Sequence, residues 1–322
     1  MHQKWIWIPA VSLAAALVTA ACGSSGGAKP SASGLEKTHL TVAALPIVDD
    51  APLFLAIKKG YFRQAGLTVT PKIIMQSTLA LPDLLHGSVD IVGGGNYVSY
   101  MEGQASGTFS LKILVAGTEC KPGSFGVLAL PSSGITSPAK LAGKTIAVNL
   151  TNNIQTLTAN AALKADGVSP ASVKYVVIPF PDMAAALKAG RVSAISVVEP
   201  FLTGAEQALG AKLVLSQCSG SLASLPLSGY FSTAAWAQQN PRTAAAFQRA
   251  MDKAQAYADA NPAAVRQVLP TYTKVTAAAA QHIVLNSFPV TLSAAQLQRV
   301  ADLMHTGGVL QSQFTVQPML FH

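Results

Sequence analysis

His39-Leu40-Thr41-Val42-Ala43-Ala44-Leu45, then Pro52 to Ala65, then Leu67 to Met75 read in turn as strand, helix and strand. The first run is short, apolar and bounded by turn residues. The second opens on proline, which suits a first helical position, and sets Leu53, Ala56, Ile57 and Tyr61-Phe62 on one side until Gly66 stops it. In the third, Leu67, Val69 and Pro71 alternate before the denser Ile73-Ile74-Met75. Beyond this unit the alternation continues. A helix is expected over Leu79 to Leu85, a strand over Val89 to Val92 that runs into Gly93-Gly94-Gly95, read either as a tight turn or as glycines that let a ligand approach the backbone, and a strand over Leu111 to Ala116. A second series follows, with strands at Phe125–Leu130, Thr145–Val148, Val173–Ile178, Val192–Val198 and Lys212–Leu215. Helices between them are expected at Asn153–Ala165, Met183–Ala189 and Leu202–Leu209. Repeated βα units imply an α/β protein whose mainly parallel sheets are covered by helices on both faces.

The last third reads as helical. Asn240-Pro241 starts a helix whose apolar stripe runs through Phe247, Met251, Ala254, Tyr257 and Ala258. Ser293 and Gln296 have capping-box spacing ahead of Leu297, Val300, Ala301 and Met304, and Gly307 ends that helix. A helical tail of this kind must pack on something, and the simplest arrangement returns it to the first α/β lobe. Residues 38–122 and 222–322 then form lobe 1, and residues 123–221 form an inserted lobe 2 reached by two crossing strands.

The N-terminus carries a different message. A short basic start, Met1 to Lys4, precedes the charge-free run Trp5 to Ala21 and the small residues Val18-Thr19-Ala20-Ala21. Cys22 and a Gly/Ser-rich stretch to Gly34 follow. The run is short of the roughly 20 apolar residues of a membrane span and contains Pro9. It reads as a signal peptide over 1–21, with an uncleaved anchor as the other reading. The cysteine and its surroundings resemble a bacterial lipobox, which implies that Cys22 is lipidated and that residues 22–37 are a flexible tether. The expected location is extracytoplasmic, tied to the cell membrane.

The 322 residues carry a net charge of +8 with no block of Lys or Arg, and only 11% are charged. The missing basic stripe argues against nucleic acid as a partner. With Cys22 assigned, Cys120 and Cys218 remain as an even pair in an oxidising compartment. They read as a disulfide at the two expected crossings, with two buried thiols as the alternative. No H-E-x-x-H, C-x-x-C or G-x-S-x-G is present. Gly143-Lys144-Thr145 has the ending of a phosphate-binding loop, but Pro138 stands where that loop needs glycine. His39, His86, His282, His305 and His322 have no metal-ligand spacing. No cofactor and no metal are expected.

Ala51 to Phe62 with Ala65-Gly66-Leu67-Thr68-Val69 resembles the opening helix of bacterial ABC-importer solute-binding proteins. The group in question is that of nitrate, sulfonate, taurine and thiamine-pyrimidine-precursor (SsuA/THI5-like) binding proteins. Leu84-Leu85-His86-Gly87-Ser88-Val89-Asp90-Ile91 resembles its L-x-x-G-x-x-D step, and Lys140 to Val148 its "LkGKkiav" segment. Ala185 to Ala194 and Glu199-Pro200-Phe201 resemble two later segments, with Ser193 where the family usually carries Asp, and Asn261-Pro262 resembles its C-terminal helices. The resemblance spans almost the whole chain after the tether. It implies a two-lobed periplasmic-binding-protein fold (type II-like), with the cleft between two sheets. It also implies capture of a small solute by a monomer that hands it to an ABC permease. Two other readings stay open: a solute sensor for a membrane receptor, and an enzyme like the thiamine-pyrimidine synthase of the same fold. That enzyme is cytosolic and needs a cysteine cluster that is missing here.

In open α/β sheets ligands sit beyond the carboxyl ends of strands. Applied here, that rule selects Asp49 and Asp50 after the first strand and Asn96 and Tyr97 after the third. It selects Thr151, Asn152 and Asn153 ahead of a lobe 2 helix, and Ser124 at the crossing. Glu199 at a strand end and Tyr230 on the return segment complete the set. Asp50 could instead cap the next helix, one of Thr151 to Asn153 must cap its own, and Glu199 could serve as a helix N-terminal charge. The set has three acids and no Lys or Arg. The expected solute is therefore neutral or cationic, such as a pyrimidine-like ring bonded to Glu199 and stacked on Tyr97 or Tyr230.

Overall fold

The structure, a computed structural model, describes residues 1–5 and 34–322. Most of the expected signal peptide, the expected lipidation site Cys22 and most of the expected tether lie outside the described residues. The described residues hold ten strands: β1 His39–Ala44, β2 Thr68–Ile73, β3 Ile91–Asn96, β4 Leu111–Ala116, β5 Phe125–Ala129, β6 Thr145–Val148, β7 Lys174–Val177, β8 Ala194–Val198, β9 Lys212–Ser216 and β10 Ser228–Thr233. They form two five-stranded sheets, in the orders β2-β1-β3-β10-β4 and β7-β6-β8-β5-β9. β1 runs parallel to β2 and β3, and β6 parallel to β7 and β8. β10 in the first sheet and β5 in the second are antiparallel to both neighbours. This is the two-lobed α/β architecture that the alternating pattern implies.

Two segments join the sheets, from β4 to β5 and from β9 to β10. They are hydrogen-bonded to each other: Cys120 N donates to Leu225 O at 2.9 Å and Leu227 N to Thr118 O at 2.9 Å. Cys120 and Cys218 form a disulfide across them, with Cα atoms 5.2 Å apart.

The C-terminal helices return to the first sheet. Helix Pro241–Ala260 buries Phe247, Met251 and Ala254 among Val42, Leu53, Phe62 and Leu114. Phe62 stacks on Phe247 with centroids 5.3 Å apart, and each such ring contributes roughly 1.5–3 kcal/mol by its burial. The aspartate of the L-x-x-G-x-x-D step has a physical role here. Asp90 is buried and accepts from Thr41 N at 2.9 Å, Trp236 Nε1 at 2.9 Å and Lys37 Nζ at 2.6 Å. It ties the start of β1, the chain before it and the helix after β10 to one point.

Three local expectations change. Helix 52–65 is two helices, Ala51–Lys59 and Tyr61–Gln64, broken where Gly60 takes φ 72°. Gly93-Gly94-Gly95 is not a turn but lies within β3. A Cβ on Gly93 would lie 2.5 Å from Asp50 Oδ1, and one on Gly94, which has φ 60°, would lie 2.6 Å from Asp50 Oδ2. The strand therefore needs glycine because a carboxyl lies against its backbone. The return segment holding Tyr230 is a full strand, β10, inserted between β3 and β4.

Candidate functional site

A cavity of about 50 Å³ lies between the lobes, at the carboxyl ends of parallel strands. Lobe 1 contributes Leu45, Ile47 and Asp49 after β1, Gln76 and Ser77 after β2, Gly94 and Asn96 of β3, and Leu227 and Ser228 at the start of β10. Lobe 2 contributes Phe125, Asn149 and Leu150 after β6, Asn153 to Gln155 at a helix start, Phe180 and Val198. The lobes touch around it. Val48 N donates to Glu199 O at 3.1 Å, and Ser99 Oγ to Asn152 O at 3.0 Å. Gln76 Nε2 donates to Asn149 O, and Asn149 Nδ2 to Met75 O at 3.3 Å. The cleft is thus closed on a small space with a mixed polar and apolar wall. A wider groove of about 1170 Å³ runs outside it, between helix Ile154–Ala165 and the end of helix Ala294–Thr306.

Among the described residues, Asp49 is the one ionisable side chain that lines the cavity. It is 5% exposed and held by three donors: Ser228 Oγ at 2.6 Å, Thr118 Oγ1 at 2.8 Å and Asn286 Nδ2 at 3.0 Å. Burial raises its pKa above the ordinary carboxylate value, and the three hydrogen bonds oppose that rise.

Asn96 and Asn153 also line the cavity, and each caps a helix. Asn96 Oδ1 accepts from Ser99 N at 2.9 Å and its Nδ2 donates to Ser77 Oγ at 3.3 Å. Asn153 Oδ1 accepts from Gln155 N and Thr156 N, and its Nδ2 donates to Gln155 Oε1. The two helix N-termini nearest the cavity therefore spend N–H groups on their own chain.

The other residues singled out by sequence lie around the cavity rather than on its wall. Asp50 occupies the N-cap position of helix Ala51–Lys59 without bonding the helix. Its Oδ2 accepts from Leu45 N at 2.8 Å, and burial pushes its pKa up to about 8, helped by the neighbouring Asp49. Tyr230 is fully buried, with its hydroxyl beside this carboxyl but not in hydrogen-bond geometry, so that Asp50 Oδ1 and the hydroxyl have no partner among the described residues. Tyr97 turns into the core, edge-on to Phe231 at 5.7 Å and against Gly229. Ser124 is buried and donates to Lys121 O at 2.8 Å. Thr151 and Asn152 are exposed and line the outer groove.

Glu199 joins the lobes. Its Oε2 accepts from Thr203 N at 3.0 Å, and its Oε1 accepts from Thr203 Oγ1 at 2.8 Å and, across the cleft, from Val284 N at 3.2 Å. Burial pushes its pKa up to about 7 against these bonds.

Sequence reasoning passed over Gln76, Ser77, Asn149, Gln155 and Ser228. Two signals were available. Gln76-Ser77 follows a strand end as Asp49 does, and Asn149 directly follows β6, two residues before the stretch selected. Gln155 carries no such signal. Its Oε1 accepts from Asn149 N at 2.7 Å and its Nε2 donates to Ser196 O, while Ser196 Oγ donates to Gln217 Oε1 at 2.7 Å. It positions the Asn149 loop from behind.

Similar folds are known. The alkanesulfonate-binding protein SsuA from Xanthomonas axonopodis pv. citri, bound to MOPS, has a TM-score of 0.74 at 20% identity, over 88% of this chain and 98% of that one. The ligand-binding component of an ABC-type import system from Staphylococcus aureus, with zinc bound, has a TM-score of 0.75 at 14% identity, over 88% and 96%. The periplasmic nitrate-binding protein NrtA from Synechocystis PCC 6803 has a TM-score of 0.67 at 20% identity, over 76% and 69%. These likenesses establish the fold. No curated protein sequence matches significantly. Residues 48–265, more than half of the chain and spanning both sheets, match the family described as NMT1/THI5 like, and the chain belongs to that family.

Proposed function

We propose that this protein is an extracytoplasmic solute-binding lipoprotein that captures a small polar, neutral or cationic solute and delivers it to an ABC importer. The observation that carries this reading is the cavity between the lobes. Amide and hydroxyl side chains from both lobes line it among apolar ones such as Ile47, Phe125, Ile154 and Phe180, and among the described residues its one ionisable group is an acid. No Lys or Arg among the described residues lines the cavity to pair an anion, and helix N-termini that could hold one are partly used by Asn96 and Asn153. The names of two structural relatives, which bind alkanesulfonate and nitrate, support the role of solute carrier. The lack of a basic side chain on the cavity wall, among the described residues, supports a different solute. The cavity volume favours a solute of few heavy atoms.

The test is thermal unfolding with taurine and nitrate on one side and small amines and aminopyrimidines on the other. A ligand at a hundred times its Kd stabilises by about 2.7 kcal/mol, a rise on the order of 5–10 °C. The rise is expected only with the second group. Stabilisation by taurine or nitrate alone overturns the proposed solute class. Native mass spectrometry of protein purified without refolding identifies any solute that stays bound. The anchor is tested separately. Replacing Cys22 with Ala is expected to move the protein from the membrane to the soluble fraction with solute affinity unchanged. A loss of affinity would show that anchor and site are not independent.

A further inference from the structure

We infer that Asn149 is the specificity-determining residue of the cavity: it selects solutes that present N–H or O–H donors and couples their capture to closure of the cleft. The inference rests on the cavity between the lobes being the solute site.

Asn149 is 6% exposed and lines the cavity on the lobe 2 side. Three of its four polar groups are spoken for. Its backbone N donates to Gln155 Oε1, its backbone O accepts from Gln76 of lobe 1, and its Nδ2 donates to Met75 O of lobe 1. The Met75 carbonyl can only accept, so the amide is fixed with nitrogen toward lobe 1. The remaining atom, Oδ1, is buried with no hydrogen-bond partner among the described residues. A buried amide oxygen left unpaired costs roughly 1–3 kcal/mol, and a solute N–H or O–H would recover it.

The rest of the wall points the same way. Asp49 is an acceptor already held by three donors. Among the side chains, Gln155 and Asn153 have their amide groups committed to one another and to Ser196, Asn149 and the helix start. A solute made only of acceptors, such as nitrate or a sulfonate group, leaves Asn149 Oδ1 unpaired and adds a second acceptor beside it. A solute with donors pairs it. The same amide then holds Met75 on the opposite lobe, so pairing Oδ1 fixes the side chain in the orientation that closes the cleft.

The test uses compact probes of similar size: urea and methylammonium as donors, nitrate and methanesulfonate as acceptors. Binding is followed by NMR of the methyl groups of Ile47 and Ile154, on opposite walls of the cavity. Urea and methylammonium are expected to shift both residues, and the two anions neither. Asn149→Leu is expected to weaken urea binding roughly ten- to a hundredfold. Asn149→Asp keeps an acceptor and adds charge, so it is expected to favour methylammonium over urea by roughly tenfold relative to the wild type. If nitrate or methanesulfonate shifts both methyl groups as strongly as urea, or Asn149→Leu leaves urea binding unchanged, the cavity remains the solute site and the role of Asn149 is overturned. If none of the four probes shifts either residue, the assignment of the cavity itself fails and the role of Asn149 falls with it.

Discussion

Replacing both Cys120 and Cys218 with Ala is expected to destabilise the protein by about 4–5 kcal/mol, lowering Tm by roughly 10–15 °C. The bridge spans 98 residues of sequence, and that loop contains all of the second sheet. Cross-linking a loop of roughly 100 residues restricts the unfolded chain by about 4.7 kcal/mol. The folded side changes less. Both cysteines are buried, so Ala removes two sulfur atoms from packed surroundings. Yet the crossing segments stay paired through Cys120 N with Leu225 O and Leu227 N with Thr118 O. The loss is therefore expected mainly in the unfolded state. It has a signature: the slope of ΔG against urea should rise, because the opened loop exposes more surface on unfolding. Solute affinity should change little, since neither cysteine lines the cavity. Urea titrations of the wild type and the double variant check this, and dithiothreitol on the wild type should reproduce it. A loss below about 1 kcal/mol would show that the crossings themselves, not the covalent loop, hold the lobes.

What could be read from the chain, and what could not, divides along physical lines. Parallel strands buried on both faces are short apolar runs, and nearly all of them stand out between turn residues. β10 does not. Ser228-Gly229-Tyr230-Phe231-Ser232-Thr233 has neither a continuous apolar run nor clean alternation, and it carries a register shift against both neighbours. Its strand character comes from the slot between β3 and β4, which no local pattern encodes. The triple glycine misleads for a related reason. Glycine at a strand end looks like a turn unless one knows that Asp50 lies against it. The site follows the same rule. Strand ends locate the cleft, so Asp49, Asn96 and Asn153 reach its wall. Whether a side chain at a strand end faces the cleft or the core depends on one residue of register. Tyr97 and Tyr230 turn inward, where Phe231, Gly229 and Phe247 receive them. A ring stacked on the solute would need another source, and Phe125 and Phe180 are the aromatic residues on the cavity wall.

Asp50→Asn is expected to stabilise the protein by roughly 5 kcal/mol at pH 8 and by only about 1–2 kcal/mol at pH 5. The wild-type carboxyl is fully buried, with its pKa pushed up to about 8 from 3.8, chiefly by burial. The folded state thus holds a proton that the unfolded chain releases. Its contribution to stability is complete below about pH 4 and is lost as pH rises toward 8, by about 1.4 kcal/mol per pH unit. Glu199, pushed up to about 7, and Asp49, also raised, act in the same direction. Asparagine cannot ionise, so it removes the Asp50 share of this slope. It also fits the contacts. Its oxygen can accept from Leu45 N as Asp50 Oδ2 does, and its amide nitrogen then takes the place of Oδ1, next to the Tyr230 hydroxyl, which can accept. Asp50→Ala offers neither contact and should be less stable than Asp50→Asn at every pH, because Leu45 N loses its acceptor in the core. Urea unfolding of the three proteins between pH 5 and 8 measures the difference. Equal pH slopes for the wild type and Asp50→Asn would mean that the carboxyl is ionised in the folded protein. The space against Gly93 and Gly94 would then have to hold a charge, and the acid beneath the cleft would place a negative charge next to Asp49.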